Sequence, residues 1–170
     1  MAQEVVPVIY LSTDEAAKAK QTAQDLKSAL DRRSRAFAAW RSFNQSFQAA
    51  HPELPDLHFS SDFQVAFAKK NVANSNSFPF EAEATTVELS AEERKKAESL
   101  HQDMLQAKRL LDQAQKSWLD YQNQLLFDHL PPNPDGGSVV TLPSGKSITI
   151  PNPWGSGVVF TPDFRVAVPR

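Results

Sequence analysis

Cysteine is absent from the 170 residues. That excludes disulfides, cysteine zinc sites and thiol nucleophiles together, and leaves both reducing and oxidising compartments open. Glycine is scarce, at five residues, and none belongs to a phosphate-cradling loop. A G-x-S-x-G elbow and an H-E-x-x-H box are missing as well. No apolar run long enough to span a bilayer occurs, so no membrane insertion is expected. The formal net charge of −2 draws the chain toward neither nucleic acid nor an anionic surface. With these chemistries removed, the sequence is read as non-enzymatic, without cofactor or metal and without a nucleic-acid partner.

A leader with a basic start and an apolar centre is also missing. The opening "MAQE" nevertheless reads as a start methionine placed before a mature end left by cleavage after a small residue. The expectation is an exported protein, periplasmic or secreted.

Hydrophobic residues make up 41% and charged residues 22%, the balance of a folded globular chain long enough to bury a core as a single domain, 1–170. One phrase occurs twice in it: "FSSDFQVA" at Phe59–Ala66 and "FTPDFRVA" at Phe160–Ala167. Shifting the chain on itself by 78 positions lays "LSTDE" (Leu11–Glu15) on "LSAEE" (Leu89–Glu93). The matches continue without a gap through Lys18/Lys96, Ala19/Ala97, Gln24/Gln102, Asp25/Asp103, Ala29/Ala107, Ala36/Ala114, Trp40/Trp118 and His51/His129. That is eleven identities in 41 positions, well above what composition supplies. The two phrases themselves are 101 apart, so the second copy carries an insertion of 101 − 78 = 23 residues. The sequence is therefore read as an internal duplication with pseudo-twofold symmetry. Its repeats cover about 5–68 and 83–168, with the β-hairpin and loop insertion near 131–157.

Each repeat is expected to run as short strand, long helix, then a strand beginning at the F-x-x-D-F phrase. Ser12 with Glu15, and Ser90 with Glu93, have capping-box spacing. His51-Pro52 and Leu130-Pro131-Pro132 stop the helices, because proline cannot continue them. Nearly forty residues lie between these signals, roughly 55–60 Å of helix at 1.5 Å per residue. Steps of three and four mark an apolar seam along both. It runs through Leu26, Trp40, Phe43 and Phe47 in the first helix, and Met104, Leu111, Trp118, Tyr121 and Leu125 in the second.

Both seams are small at the start and bulky at the end, so an antiparallel, coiled-coil-like pair matches large to small. Centred on the stripe, it sets Trp40 against Ala107, Trp118 against Ala29, Phe43 against Met104 and Tyr121 against Leu26. Arg33 interrupts the first seam, either paired with Asp112 or with its stem along the seam and its head in water. Off-seam Leu30, Phe37, Leu110 and Leu126 suggest a second buried face.

The remaining segments carry β-branched and aromatic residues or period-2 alternation: Val5–Leu11, Asp56–Phe67, Phe78–Leu89, a hairpin at Ser138–Ile150 turned by Pro143-Ser144-Gly145, and Val158–Val168. Two long antiparallel helices with a small antiparallel β region give an α+β class.

Few residues offer chemistry. Asp62 and Asp163 could meet as an acid–base pair, or each could brace a bend while neighbouring phenylalanines fill the core. His51, His58 and His129 could bind a metal, or serve as helix-end and turn residues. The arginines at 32, 33, 35 and 41, and the basic run Arg94–Lys96, are interleaved with acids and read as solvated helix faces. Trp154, in "NPWGSG", and the phrase residues Phe160 and Phe164 are the candidate partner contacts.

The functional expectation is a structural or protein-interaction protein that assembles with itself or another protein. The alternative is a holdase-like chaperone or carrier gripping apolar clients. An enzyme using Asp62 and Asp163 is the third reading.

Overall fold

A computed structural model describes residues 8–68, 85–129, 137–141, 143–151 and 157–169. The chain runs β1 (Ile9–Tyr10), α1 (Thr13–Ala50), β2 (Leu57–Phe59), β3 (Val65–Ala68), β4 (Thr86–Glu88), α2 (Ala91–His129), β5 (Gly137–Thr141), β6 (Ser147–Pro151), β7 (Val158–Phe160) and β8 (Val166–Pro169). The fold is α+β: two long helices with small antiparallel sheets, ordered β1–β8–β7, β2–β3–β4 and β5–β6.

Both helices begin with reciprocal caps. Ser12 N donates to Glu15 Oε2 at 2.7 Å while Glu15 N donates to Ser12 Oγ at 3.2 Å. Ser90 and Glu93 repeat the arrangement at 2.8 and 3.2 Å. Each box satisfies two amides that the first helical turn leaves without partners. Helix α1 ends at Ala50; His51 N still reaches the Phe47 carbonyl, and Pro52 then turns the chain.

The fold resolves into two compact units, Asp31–Arg109 and Met1–Leu30 with Leu110–Arg170. In the first, the end of α1 and the start of α2 run antiparallel: Arg32 Nη2 donates to Gln106 Oε1 at 3.2 Å, and the Trp40 ring lies 5.9 Å from His101. The β2–β3 hairpin and β4 close the core over Phe43, Phe47, Leu54, Phe63, Ala66 and Ala97. In the second unit the start of α1 meets the end of α2, also antiparallel. Ala19 packs on Tyr121 and Leu125, and Glu15 meets His129. The β1–β8–β7 sheet covers this end, burying Ile9, Val158 and Ala167 with Leu126.

In both three-stranded sheets the strand entering one helix pairs with the hairpin that follows the other. Leu11 N donates to the Arg165 carbonyl, and Leu89 N to the Gln64 carbonyl, each at 2.9 Å.

Two expectations need correction. The F-x-x-D-F phrase is the turn of a hairpin, β2–β3 or β7–β8, and does not begin a strand. The helical register differs as well. Trp40 meets His101 and the rings of Phe43, Phe59 and Phe63, roughly two turns of α2 away from Ala107. Trp118 packs on Tyr121 and Phe160. Matching one seam to the other ignored the hairpins, whose phenylalanines supply the large partners. Of the seam residues, Phe43, Phe47, Leu111, Tyr121 and Leu125 are buried, while Leu26, Trp40, Met104 and Trp118 are half-buried. Arg33 is exposed with its guanidinium 4.8 Å from the Phe37 ring centre, so its head does reach water. Leu126 is buried and Leu110 half-buried, whereas Leu30 and Phe37 remain exposed.

Candidate functional site

Asp62 and Asp163 occupy turns of the same build, one in each unit. Asp62 Oδ1 accepts from Ser60 Oγ at 2.7 Å and from Gln64 N at 3.2 Å. Asp163 Oδ1 accepts from Thr161 Oγ1 at 2.6 Å and from Arg165 N at 3.1 Å. The hydroxyl at the first position in turn receives the amide of Val65 or Val166, each at 3.1 Å. These bonds hold the residue after the aspartate in left-handed backbone: Phe63 has φ 54° and Phe164 φ 56°. A bulky residue there is strained by about 1 kcal/mol or more. Burial of Phe63 against Trp40 and His101 offsets that cost.

The same bonds favour the ionised carboxylates. The Ser60 hydroxyl, then the Gln64 amide, holds Asp62 below the usual aspartate range. Thr161 and the Arg165 amide do the same for Asp163. An acid–base pair requires the two groups to be driven apart, and here both move downward. Each carboxylate is accounted for as a turn brace within its own unit.

The three candidate histidines each meet one carboxylate. His51 Nδ1 lies 3.2 Å from Glu53 Oε1, with its ring 4.6 Å from Phe47. His129 Nε2 lies 2.6 Å from Glu15 Oε1. His58 Nε2 is 3.4 Å from Asp56 Oδ2 without hydrogen-bond geometry, and its ring stacks on Phe67 at 5.7 Å. Among the described residues, no group of three or more such ligands gathers around one point.

Glu15 joins several contacts. Desolvation pushes its carboxyl upward, but the Ser12 amide and His129 outweigh it and leave the group below the usual glutamate range. Beside it, Tyr121 Oη donates to the Glu15 carbonyl at 2.5 Å. Burial, reinforced by the Glu15 charge, pushes the Tyr121 hydroxyl up to about 12.

Phe160 and Phe164 are half-buried and pack with Trp118, at 5.3 Å from Phe160, and with one another at 5.6 Å. Their rings line the core of their unit. Trp154 lies outside the described residues.

The feature that sequence reasoning missed is the outward face of the β1–β8–β7 sheet. Ile9, Val158 and Ala167 point inward, and alternation turns Val8, Tyr10, Val159, Val166 and Val168 outward. Tyr10 is 74% exposed, Val159 50% and Val8 45%. The β2–β3–β4 sheet places His58, Thr86 and Glu88 among its outward residues, with Val65 and Phe67. Tyr10 pairs with Val166 as Glu88 pairs with Val65. A sheet covered on one side ordinarily alternates apolar-in with polar-out, and only the second follows that rule. The signal lay in the repeat alignment, where Val8 and Tyr10 fall on Thr86 and Glu88.

No protein-family model, curated protein or solved structure matches this chain.

Proposed function

We propose that the protein is a non-enzymatic structural or interaction module, exported, that works by assembling with itself or with another protein. The observation carrying this reading is the uncharged outward face built on Tyr10, Val159, Val166 and Val168, while Asp62 and Asp163 are engaged in turns and Glu15 in a helix cap. Exposed contiguous apolar faces are a common feature of contact surfaces. We further infer an internal duplication with a coiled-coil-like helical pair. Supporting it, the Leu11–Arg165 and Leu89–Gln64 bonds join positions that the two offsets superpose, 78 for Leu11 and Leu89 and 101 for Gln64 and Arg165, and left-handed Phe63 and Phe164 are likewise 101 apart.

A second reading, a holdase-like chaperone or carrier, draws on exposed apolar residues borne by the helices: Phe37 at 38%, Leu105 at 37%, and Leu119 and Phe127 at 50%. Solution mass measured across a wide concentration range, with a dye for apolar surface in parallel, separates the two. Discrete association accompanied by loss of dye binding supports assembly. A monomer that binds dye and suppresses aggregation of unfolded clients supports the holdase.

A further inference from the structure

Resting on the reading of an interaction module, we propose that one flank of α1 docks an acidic helix of a partner protein. Carboxylates of the partner meet Arg33 and Arg41, and an apolar side chain meets Phe37 between them. The acids that interleave with basic residues along α1 stop at Asp31. From Arg32 to His51 the chain carries four arginines and no aspartate or glutamate. Spacing divides these arginines. Arg33, Phe37 and Arg41 lie four residues apart and share one flank, whereas Arg32 and Arg35 fall on the far side of the helix. There Arg32 donates to Gln106 on α2.

The flank is prepared for a carboxylate. Arg33, Phe37 and Arg41 are exposed and are among the residues lining an open groove of about 350 Å³. The Arg33 guanidinium lies 4.8 Å from the Phe37 ring centre. Stacking uses the face of a guanidinium and leaves its N–H edge free for a bidentate grip on a carboxylate. The ring also restrains the arginine before anything binds, which lowers the cost of ordering it. The ion pairs among the described residues leave both arginines out.

The charge pattern selects the class of partner. Arg33 and Arg41 stand roughly 12 Å apart along the axis, at 1.5 Å per residue. A helix with acids two turns apart and an apolar residue midway presents the complement. Nucleic acid matches poorly, because a duplex carries a charge about every 1.7 Å and its affinity rests on many cations meeting them. Two cations separated by an aromatic ring answer the acidic helix instead.

Fluorescence anisotropy on the full chain tests this. The probe is a labelled alanine-rich helical peptide with two glutamates eight residues apart and a leucine midway. The same peptide with glutamine for glutamate, and a single-stranded oligonucleotide, serve as comparisons. Arg33→Gln combined with Arg41→Gln should weaken peptide binding about tenfold, the loss of two exposed ion pairs near the upper end of their range. Arg32→Gln combined with Arg35→Gln removes the same charge from the far side, and should change binding less than about twofold once salt screens it. Phe37→Ala should weaken binding and leave its salt dependence unchanged. All five positions are exposed, so the variants should keep the wild-type circular dichroism. Binding lost in the first pair, kept in the second and absent for the glutamine peptide supports the proposal. Equal losses from the two pairs would reduce it to general basicity and overturn the site, as would tighter binding of the oligonucleotide. An acidic peptide that does not bind overturns this flank too, and leaves the assembly reading to be decided by solution mass.

Discussion

The Tyr121 hydroxyl on α2 donates to the main-chain carbonyl of Glu15 in the first turn of α1, at 2.5 Å. It ties the end of one helix to the start of the other, next to the Glu15–His129 contact. Tyr121→Phe should lower unfolding free energy by about 0.5–1.5 kcal/mol, the net value of one such bond, measured by urea denaturation. The phenol also sets a pH dependence. Its folded value is raised from 10.0 to about 12, so the stabilisation is complete below pH 10 and is lost as pH rises toward 12. Tyr121→Phe should remove that part of the alkaline slope. An unchanged slope in the variant would assign it to other groups.

The two capping glutamates are expected to differ. Glu15 receives Ser12 N and meets His129, whereas Glu93 receives Ser90 N. Glu15→Gln should cost about 1 kcal/mol, and Glu93→Gln less, by thermal denaturation at neutral pH. The Glu15 carboxyl titrates below 4.5 in the folded chain, so its contribution is present above that pH and is lost as pH falls through the lowered value. Equal costs for the two substitutions would deny the His129 contact any energetic part.

Asp62 and Asp163 distinguish turn braces from a joint site. Each replacement by alanine should lower the thermal midpoint, and the double variant should show the sum, because each carboxylate's hydrogen-bond partners belong to its own hairpin. Both contributions should fade as pH drops below the ordinary aspartate range, since both folded values are depressed. Marked non-additivity would favour a joint site over separate turn braces.

Gly157 is held in left-handed backbone at φ 110°, and a Cβ there would lie 2.7 Å from Gln122 Oε1. That oxygen is buried and accepts Val158 N at 3.0 Å, so it has a bond to lose if displaced. Gly157→Ala should cost about 2 kcal/mol or more, through backbone strain and the disturbed bond. Gly145, at φ 81° with open space around it, should cost less on the same change. Comparable losses at the two positions would mean that the Gln122 contact adds nothing.

Trp40→Ala should cost about 3 kcal/mol, the lower end for an aromatic truncation, because the ring is only half-buried among Phe43, Phe59, Phe63 and His101. Phe59→Ala should be strongly coupled to it in a double-mutant cycle, as neighbours are. Independent effects would restore a helix-only seam around this tryptophan.

The helices were legible in the sequence because their determinants are local. Ser12 with Glu15, Ser90 with Glu93, the three-and-four spacing from Leu26 to Phe47, and the prolines at 52 and 131 act within a few residues of chain. Strand alternation and the Pro143–Gly145 turn are local in the same sense, so the α+β class could be read without coordinates. What only the tertiary structure decided is non-local. The partners of Trp40 depend on where the Phe59 and Phe63 hairpin comes to rest, and a heptad seam holds no information about that. The pairing of Ile9 with Ala167 joins opposite ends of the chain, through backbone bonds that any side chains of suitable shape would allow. Tyr10 belongs to the same class: its strand character is written locally, but its exposure follows from which face of the sheet the helices cover.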